Sequence, residues 1–365
     1  MRAVKAIIHL DNFRHNIEKA REKAGARTGL CAPVKADAYG HGAVPVARAA
    51  LEAGASHLAV ATVSEGAELR QAGIKAPVFL FSQALPGEME EIAALDLIPL
   101  VGDREAAEVL AKAGRRLEVH LKVDTGMGRM GARPENAAEL AAFIVSQKSL
   151  KLGGVATHLS VSDSLEPADI AYTKGQLSRF RGAVDSIKAA GLDPGLIHAA
   201  NSGALCFHED AYFDLVRPGI FLYGYSPAAG IPEGLDAEPV MELRGAVVFI
   251  KKVFKGEDIS YGRTWTAPED TYIGTLPVGY ADGLPRLLSN RHSVYIKGRA
   301  YPQVGRICMD QCMINLGPET DVKRWDEAII FGPGAVTAAD MAAKIGTISY
   351  EITCNINKRV PRVYI

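Results

Sequence analysis

"LEVHLKVDTGMGRMGARPENAAEL", residues 117–140, is the stretch on which the fold turns. An apolar run reaches a lysine and an aspartate, a glycine-rich loop follows, and helix-forming residues come next, so it reads as strand, loop and helix. Within it "GMGRMG", residues 126–131, satisfies the G-x-G-x-x-G spacing of a dinucleotide-binding turn, which would make the chain an open, doubly wound sheet. Three features reject that reading. The helix begins only near Pro134, Arg129 occupies the turn, and no acidic residue stands about 20 positions beyond the first glycine to bind a ribose.

Outward from this unit the same alternation repeats. "LCAPVK", "HLAVAT", "PVFLFS", "LIPLVG", "LEVHLKVD", "LGGVATH", "LIHAAN" and "FDLVRPG" read as strands, and alanine-rich amphipathic stretches such as "REAAEVLAKAG" lie between most of them. Ahead of them "HLDNFRHNIEKAREKAG" predicts an Asp11-capped helix ending near Gly25. Eight βα units without a dinucleotide-type break predict an α/β fold of the closed (β/α)8, TIM-type barrel class over residues 10–234. Near "SPAAGIPEGLDAEP", residues 226–239, Pro and Gly accumulate and the texture changes to "GAVVFIKKV", "YIGTLPVGY", "SVYIKG", "CMINL" and "AIIFG". Only residues 337–345 read as clearly helical there. A mainly β C-terminal domain over residues 235–365 is predicted.

The bulk properties bound the function. At 365 residues the chain exceeds one ordinary domain, and 48% apolar with 23% charged residues is a globular composition. A formal net charge of -1 removes the electrostatic case for nucleic acid or an anionic membrane and leaves a small molecule as the expected ligand. Five cysteines without a CxxC pair fit reduced thiols rather than a disulfide framework or a metal site. "MRAVKAIIHLDNF" has too short an apolar run for a secretion signal, and no segment is long and apolar enough to span a bilayer. A cytoplasmic location is expected.

In such a barrel the site gathers at the C-terminal ends of the strands, so polar residues that close the apolar runs carry the information. They are Lys35, Arg129, His158, Asn201, Ser202 and Arg217. Any one alone is ordinarily solvated or scaffolding; their joint placement on one end is the signal. The seventh and eighth strand ends often hold a phosphate, and Ser202, Gly203 and Gly219 in "ANSGAL" and "RPGIFLYG" suit that task, with Tyr39 near the adjacent first strand. A lysine beside a phosphate site suggests Schiff-base chemistry, of either an aldolase or a pyridoxal-phosphate kind.

"PVKADAYGHG", "VDTGMGRMG", "THLS", "HAANSGAL", "VRPGIFLYG", "SYGRTW", "VGYADG" and "GRICMDQ" together closely resemble the alanine racemase family, in order, from about Lys5 to the C-terminus. The resemblance implies pyridoxal 5'-phosphate, a homodimer with shared active sites, an isomerase that makes D-alanine for cell-wall synthesis, and residues 1–9 joined to the β domain. It implies that Lys35 holds the cofactor and acts as the base on one face of alanine, with Tyr261 of the partner subunit on the other. Two bases are needed because inversion requires the proton to return from the face opposite the one it left. A phenol with an ordinary pKa of roughly 10 is a weak base, and the family helps it through His158 and Arg217. By the same resemblance Tyr39, His158, Asn201, Ser202, Gly219, Ile220 and Tyr350 bind the cofactor with Lys35 and Arg217, the last of which can only donate to its ring nitrogen. Arg129 and the N–H of Met309 meet the substrate carboxylate, Tyr280 narrows the mouth, His198 supports the site, and Lys122 is a candidate carbamate. No metal is implied. The competing expectations are a related decarboxylase, which "SYGRTW" and Arg217 oppose, a single-barrel cofactor carrier, which the β domain opposes, and a racemase preferring serine or another amino acid.

Overall fold

A computed structural model describes residues 3–227, Gly230, Pro232 and 234–365; Ala228, Ala229, Ile231 and Glu233 of the boundary stretch 226–239 lie outside the described residues. The chain forms two compact units, one of Phe13–Ala38 with Ala43–Ala237 and the other of the chain up to Asn12, Tyr39–Gly42 and Glu238–Ile365.

After β1 (Lys5–Ile8) and the helix Leu10–Ala24 come eight strands: β2 (Gly29–Pro33), β3 (His57–Val60), β4 (Val78–Leu80), β5 (Leu97–Val101), β6 (Leu117–Lys122), β7 (Leu150–Ala156), β8 (Leu196–His198) and β9 (Leu215–Val216). They form one parallel sheet in the order β8-β7-β6-β5-β4-β3-β2-β9. β8 and β9 close the ring without a ladder: Asp214 N–H donates to Ile197 O (3.0 Å) and Arg217 N–H to Ala200 O (2.8 Å). The Asp214 carboxylate also accepts from Ile197 N–H at 2.8 Å. The eight apolar runs of the sequence each contain one strand, because strands buried on both faces carry near-continuous apolar residues. The strands stop short of the polar residues that close the runs, which leaves those side chains in the loops at one end. Cys31, Ala59, Phe79, Ile98 and Leu215, with Phe81 against them, form a buried cluster of this unit.

Asp11 is not the cap of its helix. The helix starts one residue earlier at Leu10, so Asp11 lies in the first turn, where a carboxylate still complements the helix dipole.

In the second unit the strands are β10 (Met241–Ala246), β11 (Phe249–Val253), β12 (Asp258–Ile259), β13 (Trp265–Thr266), β14 (Thr271–Leu276), β15 (Ser293–Ile296), β16 (Arg299–Val304), β17 (Cys312–Gly317), β18 (Glu327–Phe331) and β19 (Arg362–Tyr364). Among the described residues nine of the nineteen make one sheet, ordered β11-β14-β17-β16-β15-β18-β10-β1-β19. β1 pairs antiparallel with β10 and parallel with β19, so the first strand of the chain is an inner strand of the C-terminal sheet. "GAVVFIKKV" is two strands rather than one, since Val247 N–H donates to Asp326 O and the next residue, Val248, to Thr275 O, which turns the chain from one neighbour to another. A second helix, Ser349–Cys354, accompanies Ala338–Ile345. It went unread because it is six residues long and has no side-chain cap, whereas Thr337 and Asp340 form a capping box on the first.

Residues 39–42 belong to this unit through close backbone approach. A Cβ on Gly40 would meet Thr353 O at 2.2 Å and one on Gly42 the Tyr364 hydroxyl at 2.0 Å. The Arg362 guanidinium donates twice to Gly40 O, at 3.0 and 2.9 Å.

Candidate active site

Lys35 follows β2 and is half-buried. The four residues after it wind left-handed, with φ of 53° at Ala36, 54° at Asp37, 52° at Ala38 and 55° at Tyr39. Each non-glycine residue in that conformation costs about 1–2 kcal/mol, so the turn has to be held from outside. Glu65 does so, accepting from the N–H groups of Ala36 (2.6 Å), Ala61 (2.7 Å) and Thr62 (3.2 Å). Asp37 braces the exit by accepting from Ala43 N–H at 2.8 Å.

Arg129 is presented by the glycine-rich loop and is exposed. Asp124 gathers that loop, accepting from the N–H groups of Gly126 and Gly128 at 3.0 and 3.1 Å. Gly131, at φ 125°, brings the chain back, and a Cβ there would meet Asp124 N at 2.7 Å. The glycines of "GMGRMG" therefore shape a returning loop rather than a phosphate turn.

Two cations are buried behind it. Lys122, 4% exposed, donates to Val123 O at 2.9 Å, and its ammonium is pushed down to about 8 by burial and by Arg217, with Arg129 adding and Asp124 opposing. Arg217 closes β9 and is 6% exposed; it donates to His198 Nδ1 (2.9 Å), Thr157 O (2.8 Å) and Ala199 O (3.1 Å). Burial lowers its guanidinium to about 10, which leaves it protonated at neutral pH. Among the described residues Asp124 is the one carboxylate that offsets the Lys122 charge, against Arg217 and Arg129 on the other side. His158 lies among these charges. Burial, and then Arg217, Arg129, Lys122 and Lys35, hold its imidazole well below the usual range, so it is neutral.

At the next strand ends Asn201 is occupied as a helix cap, accepting from Ala204 N–H (3.0 Å) and Ser162 Oγ (2.7 Å) and donating to Leu159 O (3.1 Å). Ser202 Oγ accepts from the N–H groups of Gly219 (2.8 Å) and Phe221 (3.2 Å), which leaves its own hydroxyl hydrogen as a donor. Gly203 is needed for a different reason from the one expected. A Cβ there would meet Asp163 N at 2.6 Å, so it admits neighbouring backbone rather than a ligand. Excess cationic charge, a spare hydroxyl donor and an amine at one barrel end fit an anionic group that carries a phosphate and a carbonyl.

In the other unit Tyr39 and Tyr350 pack ring to ring, with centroids 5.8 Å apart. Tyr261 stands 71% exposed on the turn after β12, where Ser260 (φ 69°) donates to Arg306 O at 2.7 Å. Tyr280 and Met309 are also exposed, and the turn of the first is zipped to the second by Tyr280 N–H to Cys308 O (3.1 Å) and Ala281 N–H to Met309 O (3.0 Å). Arg359 locks this pair of loops through Asp282 (2.8 and 3.0 Å) and Asp310 (2.8 Å). Sequence reasoning missed Glu65, Arg359, His120 and Glu118. For the last two a signal existed, because the period-two spacing of Glu118, His120 and Lys122 puts all three on one face of β6.

Comparison with known proteins places both units. The family described as alanine racemase, N-terminal domain, matches residues 8–227, and that described as alanine racemase, C-terminal domain, matches residues 240–364. An alanine racemase of Treponema denticola is 50% identical over 375 residues, covering 100% of this chain and 99% of that protein. One of Desulforamulus reducens is 44% identical, covering 99% and 98%. The crystal structure of alanine racemase from Streptomyces lavendulae is similar with a TM-score of 0.92 at 38% identity, over 100% of this chain and 97% of that one. That from Bacillus anthracis with bound L-Ala-P has a TM-score of 0.93 at 34% identity, over 100% and 95%.

Proposed function

The chain belongs to the alanine racemase family, and from that premise we propose that it interconverts L-alanine and D-alanine with pyridoxal 5'-phosphate by a two-base route. The observation that carries the reading is Arg217: a buried guanidinium, where a carboxylate would favour other chemistry, stands at the end of β9 beside a neutral His198.

When bound, the cofactor supplies an aldehyde that condenses with amines and a ring that spreads the electron pair left when the Cα proton departs. The chain's residues do the rest. Ser202 donates its hydroxyl, and Gly219 and Ile220 with Tyr39 and Tyr350 complete the phosphate ligands. Asn201 caps the helix that starts there. Arg217 donates toward the ring nitrogen and, being unable to accept a hydrogen bond from a protonated one, favours a ring without added positive charge. That restrains side reactions at other carbons. Arg129 and the Met309 N–H orient the substrate carboxylate, and Tyr280 narrows the mouth. Lys35 Nζ takes or returns the proton on one face. Tyr261 Oη, from the partner subunit, serves the other, with His158 and Arg217 as its hydrogen-bonding support. Lys122 reacts with carbon dioxide through its neutral amine, forming an N–C bond and releasing a proton, so an anion replaces a cation between Arg129 and Arg217.

The active unit is a homodimer in the cytoplasm. The large exposed rings of Tyr261 and Tyr280 support the first, and five cysteines with no CxxC spacing support the second. Among the described residues no helix is long and apolar enough to cross a membrane. Incubating the purified protein with L-alanine in heavy water tests the function. Loss of optical rotation together with deuterium at Cα is expected, and rotation that persists while deuterium enters would reject racemisation.

A further inference from the structure

A chain of side chains leads away from Arg217 through the barrel unit, buried as far as His120. His198 Nδ1 receives the guanidinium at 2.9 Å, and His198 Nε2 lies 2.8 Å from His120 Nδ1. His120 Nε2 lies 3.8 Å from the Glu118 carboxylate, an electrostatic rather than a hydrogen-bonded separation. Lys151 meets the same carboxylate at 2.6 Å. His120 and His198 are both fully buried.

The direction of every proton follows from one end. A guanidinium only donates, so His198 Nδ1 must accept; a neutral imidazole has one donor and one acceptor, so its proton sits on Nε2. His120 Nδ1 then accepts, which puts its proton on Nε2, facing Glu118. Charging either ring would set N–H against N–H. Burial first, and Arg217 among the charges, lowers both imidazoles below the ordinary range, in agreement.

We propose that Glu118 and His120 are positioning residues which, through His198, hold Arg217 in the single donor orientation that meets the cofactor's ring nitrogen. This rests on the reading of Arg217 given above. A remote carboxylate answers the buried guanidinium here, without the direct contact that would draw its donors away from the ring.

The backbone has been shaped for these two side chains. The ladder between β6 and β7 shifts register at Val119/His120, opposite Gly153 and Gly154. A Cβ on Gly154 would stand 2.3 Å from the His120 ring, and one on Gly153 would stand 2.5 Å from the Glu118 side chain. Glycine weakens a strand interior and often marks a bulge or a close approach; here it makes the room. Phe79 walls the chain from one side, its ring centroid 4.8 Å from that of His120 and 5.2 Å from that of His198.

The experiment uses holoenzyme labelled with 15N at histidine. In the wild type His198 and His120 should both be neutral with the proton on Nε2. Two variants disturb only the outer end: Glu118→Gln removes the charge, and Gly153→Ala pushes the carboxylate aside while keeping it. In both, His120 should populate its second tautomer, and kcat should fall roughly tenfold, the size typical of losing a ligand's outer partner, with KM for alanine unchanged. Wild-type tautomers in both variants would overturn the proposal, as would shifted tautomers with unaltered kcat. Arg217→Lys separates the underlying reading: its visible absorption should differ from the wild type. If it does not, the assignment of Arg217 fails; if it does while Glu118→Gln changes nothing, only the relay fails.

Discussion

Lys122 sits where a lysine is costly, 4% exposed and under the field of two arginines. Its ammonium titrates near 8 in the folded chain against 10.5 for an ordinary lysine. Between those values the unfolded chain binds the extra proton, so stability rises with pH across that window. Below pH 8 the whole penalty applies, about 3 kcal/mol. In carbonate-free buffer Lys122→Met should therefore be more stable than the wild type near pH 6.5, by up to about 3 kcal/mol. The gain should vanish as pH approaches 10.5, and urea titrations at several pH values measure it. The same depressed pKa supplies the neutral amine a carbamate requires. Added bicarbonate should raise wild-type activity and add the mass of carbon dioxide under native spectrometry, and do neither for Lys122→Met. The sequence made this residue legible, because alternation along β6 turns it inward. The depth of its burial was not legible, since β7 and β9 come from elsewhere in the chain.

The element with the least sequence signature is the left-handed turn after Lys35. Apart from Asp37, a residue type that tolerates positive φ, nothing in "KADAY" favours that conformation. Its conformation is imposed by Glu65, about thirty residues on, which no pattern within the segment reveals. Ala36→Gly relieves about 1–2 kcal/mol of left-handed strain against about 0.5–1 kcal/mol of added backbone entropy. Urea unfolding should show it neutral or slightly stabilising. Ala142→Gly, on the exposed face of the right-handed helix Ala137–Ser146, should cost about 1 kcal/mol. If Ala36→Gly cost as much, the turn would not be strained. The barrel strands are the opposite case. Most of their residues are buried, so their composition announces them, and Phe79→Ala inside them should lose roughly 3–5 kcal/mol by leaving a cavity.

At the scale of the whole molecule the reading stands on two subunits sharing each site. Lys35→Ala and Tyr261→Phe should each be inactive alone. Co-expressed, half the dimers are mixed, and each mixed dimer carries one site with both bases intact, so about a quarter of wild-type activity should return. Failure of that complementation, with mixed dimers shown by mass spectrometry, would put both bases in one chain. Order along the chain was enough for the broad architecture: apolar runs separated by amphipathic helices specify a parallel barrel, and the later strand-rich texture specifies a β unit. Sequence motifs also nominated Lys35, Arg217 and Ser202, because they close apolar runs. Tertiary structure alone decided what those groups are chemically. Whether His158 is charged, which way the His198 and His120 protons point, and why Gly153 and Gly154 must lack side chains depend on charges and volumes contributed by several strands. Local propensity cannot encode a field or a cavity whose sources lie up to a hundred residues apart.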